Sequence, residues 1–199
     1  MAAMIRSPIV HVVDDDPGVL TALGRCLRAD GIEVTLSQST QEFLAHYDPG
    51  ATDCLVLDLQ MPEMNGLQLQ RLLGERGQHP AVVFVSGCAD VASCASAMRA
   101  GAIDFLTKPV EAEVLLEAVL RGIHAETEAR GRREKEVLPH IIAGRLNKQI
   151  AADLDVSLKT IKVHRARIMQ KLGVRSVADL VRVAELAHVG VAGGPPRSA

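Results

Sequence analysis

Five short runs of β-branched and aliphatic residues alternate with five helix-period stretches over the first 123 positions, and this alternation constrains the fold more than any other feature. The runs fall at 9–13, 33–36, 54–57, 81–85 and 103–106, and the helix-period stretches at 19–29, 41–47, 67–76, 91–100 and 110–123. Strands separated by helices in this way predict an α/β domain, doubly wound around a five-stranded parallel sheet. Composition agrees. The chain is 48% apolar but holds only three Phe, one Tyr and no Trp, so its core must be built from Val, Leu, Ile and Ala. Such residues suit strands covered by helices on both faces.

In open parallel sheets, ligands collect outside the carboxyl ends of the strands. The residues just after each run are therefore where chemistry is expected. The first run ends in Asp14, Asp15 and Asp16, the third in Asp58, the fourth in Ser86 and Gly87, and the fifth in Thr107, Lys108 and Pro109. Carboxylates gathered at one edge repel unless a cation offsets them. Three carboxylates without His or Cys make an all-oxygen site of the kind that Mg²⁺ prefers. Beside a metal, one carboxylate can act as nucleophile toward a phosphoryl group, with Lys108 neutralising charge and Ser86 donating a hydrogen bond. The plainer reading of an Asp before Pro17 is a helix cap, which is expected of Asp16.

Charge divides the chain. Residues 1–124 hold eight Lys/Arg against sixteen Asp/Glu, whereas residues 125–199 hold fourteen against eight. A basic small domain is what a polyanion attracts. Between the halves, the segment AETEARGRREKE at 125–136 reads as a solvated, partly helical linker. Glu126/Arg130 and Glu128/Arg132 stand at i,i+4 in the favourable order. Pro139 is expected to mark a bend between this linker and the helical segment after it.

Beyond the linker the pattern is all helix, with a short helix closing at 141–144 and others at 148–154, 157–172 and 176–188. The second and third have the layout of a helix-turn-helix, with Ser157 placed to cap the third. Val156, Ile161, Ile168 and Leu172 are expected to pack inward, leaving Lys159, Lys162, Arg165, Arg167 and Lys171 on the other faces. Such a helix lies in the major groove with its N-terminal half at base edges and its basic flanks on phosphates. The expected organisation is 1–124, 125–136 as linker, 137–190 as a four-helix domain, and 191–199 as a disordered Gly/Pro-rich tail.

Cys26, Cys54, Cys88 and Cys94 lack metal-binding spacing, and no apolar run approaches the roughly 18 residues of a membrane span. They read as reduced thiols of a cytoplasmic protein, with Cys88 and Cys94 a remote redox pair.

The segments VVDDD (12–16), VLDLQMPEMNG (56–66), VFVSG (83–87) and DFLTKP (104–109) together resemble the receiver domain of bacterial two-component response regulators over about 8–122. The resemblance implies that Asp58 accepts phosphate from a sensor histidine kinase. It implies that Asp14 and Asp15 hold Mg²⁺ with Asp58 and the Gln60 carbonyl. Ser86 and Phe105 take the switching positions and Lys108 the family's lysine role. Ser86 stands where Thr is as common, and Asp16 where Glu is frequent. The stretch SLKTIKVHRARIMQKLG resembles the recognition helix of the LuxR/FixJ-type output domain, over about 134–187. By that resemblance Lys162, Val163 and Ala166 face base edges. Thr160, His164, Arg165, Arg167, Lys171 and Asn147 are candidates for backbone contacts or support, His164 rather as a packed residue. The family's Leu-Thr-x-Arg-Glu opening keeps only Arg133 and Glu134, with Arg130 and Gly131 in the Leu-Thr places.

The expectation is a transcription factor, not an enzyme. Phosphorylation would rearrange Ser86, Phe105 and the helix at 91–100, promote a homodimer, and bring paired output domains to promoter DNA, with RNA polymerase a further partner. Two other readings stand beside it. One is an aspartyl-phosphate phosphatase, opposed by Gln60 where those enzymes carry a second acid. The other is a phosphorylation-independent DNA binder with a vestigial receiver, opposed by the intact Asp58, Lys108 and recognition helix.

Overall fold

Strands β1 (Ile9–Val13), β2 (Glu33–Ser37), β3 (Thr52–Asp58), β4 (Val82–Ser86) and β5 (Asp104–Thr107) form one parallel sheet in the order β2-β1-β3-β4-β5. They alternate with helices α1 (Pro17–Ala29), α2 (Thr40–His46), α3 (Gly66–Glu75), α4 (Val91–Arg99) and α5 (Ala112–Ile142). The computed structural model describes residues 7–87 and 90–186. Contacts divide the chain between Glu128 and Ala129, and the two units are taken separately.

The doubly wound expectation is met. All seven residues of β3 and all five of β4 are buried, which is why these runs read as continuous apolar stretches without alternation. One core layer gathers Val10, Val12, Val56, Val83 and Val85 with Leu23 and Leu27 of α1 and Leu115 and Val119 of α5. The opposite layer joins Leu55, Leu57 and Phe84 to Phe43 of α2, Leu69 and Leu73 of α3 and Ala97 of α4. The β1–β3 register slips between Ile9 and Val10, and the carboxylate of Asp53 accepts the Ile9 N–H at 2.9 Å.

Helix starts follow the side chains. Asp16 accepts from the N–H groups of Gly18 and Val19 ahead of Pro17, as expected of it. Asn65 and Gln68 form a reciprocal capping box at α3. Three of the cysteines, Cys26, Cys54 and Cys94, are free thiols, and burial pushes the Cys54 thiol up to about 12. Cys88, and with it the suggested pairing to Cys94, lies outside the described residues, as does the 191–199 tail.

In the second unit, α6 (Asn147–Asp153), α7 (Leu158–Lys171) and α8 (Val177–Leu186) pack with the end of α5 around Val137, Ile141, Ile150, Ile161, Ile168 and Leu180. Three expectations are revised here. The helix expected at 110–123, the linker and the short helix ending at 144 are not separate segments but one helix with Pro139 inside it, so the chain stays helical through the position where the bend is expected. Burial of Val137 and Ile141 on either side outweighs the local cost of the proline, and Ala143 N–H donates to the Pro139 carbonyl at 2.9 Å. The 125–136 stretch is also not solvated throughout, because Glu134 is only 8% exposed. Leu172, expected to point inward, is 43% exposed; it is the C-cap residue of α7, with no further turn of that helix to cover it.

Candidate functional site

The strand order reverses between β1 and β3, so the crevice at their carboxyl ends is where a ligand should sit. Asp14 follows β1 and Asp58 ends β3. Oxygens of Asp14, Asp15 and Asp58 lie within 4.8 Å of one another. Asp14 and Asp58 are buried and Asp15 is exposed. Lys108 reaches over from the end of β5, with Nζ 2.6 Å from Asp14 Oδ2 and 3.5 Å from Asp58 Oδ1. Its backbone N–H donates to the Ser86 carbonyl at 2.9 Å, which ties the lysine to the fully buried Ser86 on the neighbouring strand.

Electrostatics follow from that packing. Burial, with the Asp14 charge, raises Asp58 above the ordinary carboxylate range, against the pull of Lys108 and the backbone N–H groups of Gln60 and Leu59. Burial works against the Lys108 ammonium, but hydrogen bonding and charge from Asp14 and Asp58 outweigh it, so its pKa is raised. Asp58 Oδ1 is buried, with the Lys108 ammonium at 3.5 Å and no closer hydrogen-bond donor against it. Three carboxylates converging within 4.8 Å, with a single ammonium against two of them, fit a hard divalent cation, for which all-oxygen donors are the preferred set.

The loop after β3 is held by glycine. Gly66 N–H donates to the Leu59 carbonyl at 3.0 Å. A Cβ on Gly66 would stand 2.4 Å from the Asp58 carbonyl oxygen and 2.9 Å from Phe84 Cε1. The sequence motif contained this glycine, but no pattern in one chain reveals its closeness to Asp58. Phe105 is half-buried, its ring stacked on Phe84 with centroids 6.0 Å apart.

In the second unit, Ser157 caps α7, its oxygen accepting from Thr160 N–H at 3.0 Å. Ile161, His164 and Ile168 are the buried stripe of α7. Lys159, Lys162 and Ala166 are exposed and Val163 is partly exposed, on the opposite side. Arg165 donates to Asn147 Oδ1 at 2.9 Å, linking α7 to the start of α6. Lys171 pairs with Glu134, a residue to which the sequence pattern assigns no role of its own. His164 is buried and held at about 4, chiefly by burial and then by Arg133 and Arg167.

An acidic, lysine-bearing edge on a doubly wound parallel sheet, followed by a basic helix-turn-helix, defines a receiver joined to a DNA-binding unit. The comparisons say the same. The family model "Response regulator receiver domain" matches residues 10–120, and "Bacterial regulatory proteins, luxR family" matches residues 131–184. The chain is similar to the response regulator protein TmoT of Ectopseudomonas mendocina, 42% identical over 90% of this chain and 89% of the relative. It is 38% identical to the transcriptional regulatory protein FixJ of Rhizobium meliloti, over 88% of this chain and 94% of that one. The solved structure of the response regulator StyR matches 91% of this chain and all of its own, with TM-score 0.61 and 40% identity. The chain therefore belongs to the response regulators that carry a receiver domain and a LuxR-type DNA-binding domain, a family that regulates transcription under control of phosphorylation. Among the described residues, no helix is long and apolar enough to cross a membrane.

Proposed function

We propose that Asp58 is the phosphoacceptor of this regulator and that its phosphorylation governs DNA binding by α7. The observation that carries the reading is the convergence of Asp14, Asp15 and Asp58 within 4.8 Å, with Lys108 at their side. An Asp58 carboxylate oxygen attacks phosphorus of a phosphohistidine on a sensor kinase, the P–N bond breaks, and the imidazole leaves with the electron pair. Asp14, Asp15 and Asp58, with the Gln60 carbonyl, would hold Mg²⁺, which supplies charge neutralisation at the phosphoryl oxygens when bound. Lys108 turns from Asp14 toward the new phosphoryl group, and Ser86 donates its hydroxyl to a phosphoryl oxygen. Phe105, stacked on Phe84, then reads the position of Ser86. The chain acts as a phosphorylated regulator in the cytoplasm and is not an enzyme in its own right.

In the output unit, Lys162, Val163 and Ala166 face base edges, with Lys159, Thr160, Arg165 and Arg167 on the backbone or in support. The opposition of this stripe to the buried Ile161, His164 and Ile168 supports that assignment. Phosphorylation promotes a homodimer, because two-fold-related half-sites call for two-fold-related readers. RNA polymerase is a partner at the promoter. The proposed domain limits are a receiver to 124, a charged linker to 136 and a DNA-binding domain to 190, with the contact division between Glu128 and Ala129 falling inside that linker. The reading is tested by footprinting genomic fragments with the unphosphorylated and phosphorylated chain. Protection that appears or strengthens on phosphorylation supports it, and equal protection in both states contradicts it.

A further inference from the structure

Lys171 belongs to the basic residues that α7 offers, yet its charge is already engaged. Its Nζ lies 2.5 Å from Glu134 Oε2, across 37 positions of sequence, tying the last residue of α7 to α5. The partners are unequal, since the side chain of Glu134 is 9% exposed and that of Lys171 61%. A carboxylate this buried is costly without a cation against it. Lys171 also lies off the outward stripe. Five residues separate it from Ala166, about 140° around the helix at 3.6 residues per turn. It continues instead the line of His164 and Arg167, at i, i+3 and i+7. Glu134 faces that line in a positive surrounding, for Arg130 and Arg133 of α5 and Arg167 all act on His164 in the direction opposite to Glu134.

We propose that Glu134 and Lys171 form a strut that fixes the angle of α7 on α5, making Lys171 a positioning residue for DNA reading rather than a phosphate contact. The inference rests on α7 being the recognition helix. It gives the surviving Glu134 of the family's opening signature a physical role, anchoring the recognition helix at its far end.

The two roles of Lys171 predict opposite signs at Glu134. A strut makes Glu134→Gln weaken DNA binding, on the order of tenfold. A phosphate contact makes the same change tighten it, by freeing the lysine and removing a negative charge. The test uses the full chain and labelled duplexes that the wild type recovers from a random-sequence pool. For the strut, Lys171→Met weakens binding while leaving the slope of log affinity against log salt unchanged. The charge-swapped pair Glu134→Lys with Lys171→Glu recovers part of the loss, and Lys171→Arg stays near wild type. Tighter binding by Glu134→Gln, or a slope reduced by about 0.9 in Lys171→Met, overturns the proposal. Where Glu134→Gln does not fold, the slope of Lys171→Met decides alone. Failure of the wild type to recover any duplex overturns the DNA-reading assignment itself, and with it the strut.

Discussion

Replacing Gly66 by alanine tests how tightly α3 is pressed against the acceptor strand. The added Cβ would stand 2.4 Å from the Asp58 carbonyl oxygen, 2.9 Å from Phe84 Cε1 and 3.1 Å from Leu57 Cγ. Ordinary carbon contacts begin near 3.5 Å. Neither side can easily give way. The oxygen belongs to the backbone of β3, and Gly66 is held by its N–H bond to Leu59 and by the Asn65–Gln68 capping box. Overpacking of this kind costs about 1–3 kcal/mol, and a collision with fixed backbone puts Gly66→Ala toward the upper end. The receiver transition should move down by roughly 5–15 °C. The sign is informative, because Gly→Ala at an unstrained helical position stabilises by about 0.4–1 kcal/mol. Gly131, inside α5 with nothing within 4 Å of its would-be Cβ, supplies that control. Thermal and urea unfolding of the full chain should therefore show Gly66→Ala destabilised and Gly131→Ala neutral or stabilised. Equal effects, or a stabilised Gly66→Ala, would refute the close approach.

Mg²⁺ should stabilise the receiver by about 1.4 kcal/mol at tenfold its dissociation constant. Asp15→Asn should largely remove the shift, and an unchanged shift would exclude Asp15 from the site. His164 carries a pH dependence of definite sign. Its pKa is about 4 in the folded chain against 6.5 ordinarily, so the unfolded chain binds the extra proton between those values. The stability it confers is full above about pH 6.5 and lost as pH falls toward 4, about 2 kcal/mol less at pH 5 than at pH 7. His164→Gln should flatten that part of the output unit's urea-unfolding profile, and an unaltered profile would contradict it. Sedimentation before and after beryllofluoride treatment should show monomer passing to dimer; a strictly monomeric activated form on DNA would sink the dimer proposal.

The fold was legible wherever one residue pattern had one structural outcome. The β1 limits match the sequence reading, and the acids of the crevice were placed by nothing more than their position after strands. Cap residues were equally readable, since Asp16 and Ser157 act through neighbours two or three positions away. What escaped were effects of distant packing. Pro139 argues locally for an interruption, but Val137 and Ile141 bury on the core and hold the helix through it. Glu134 looks like one more charge in a solvated run until Lys171, 37 residues away, is brought against it. The closeness of Gly66 to Asp58 likewise exists only once α3 is packed on the sheet.

The central claim is that phosphate on Asp58 controls DNA binding, and one paired measurement tests it most directly. Wild type and Asp58→Asn are treated with acetyl phosphate and Mg²⁺, phosphate incorporation is followed by intact mass, and affinity for a footprinted fragment is measured on the same samples. The account predicts that wild type gains one phosphate and binds more tightly, whereas Asp58→Asn gains neither. Equal phosphate uptake by the variant, or tighter binding without uptake, would contradict it.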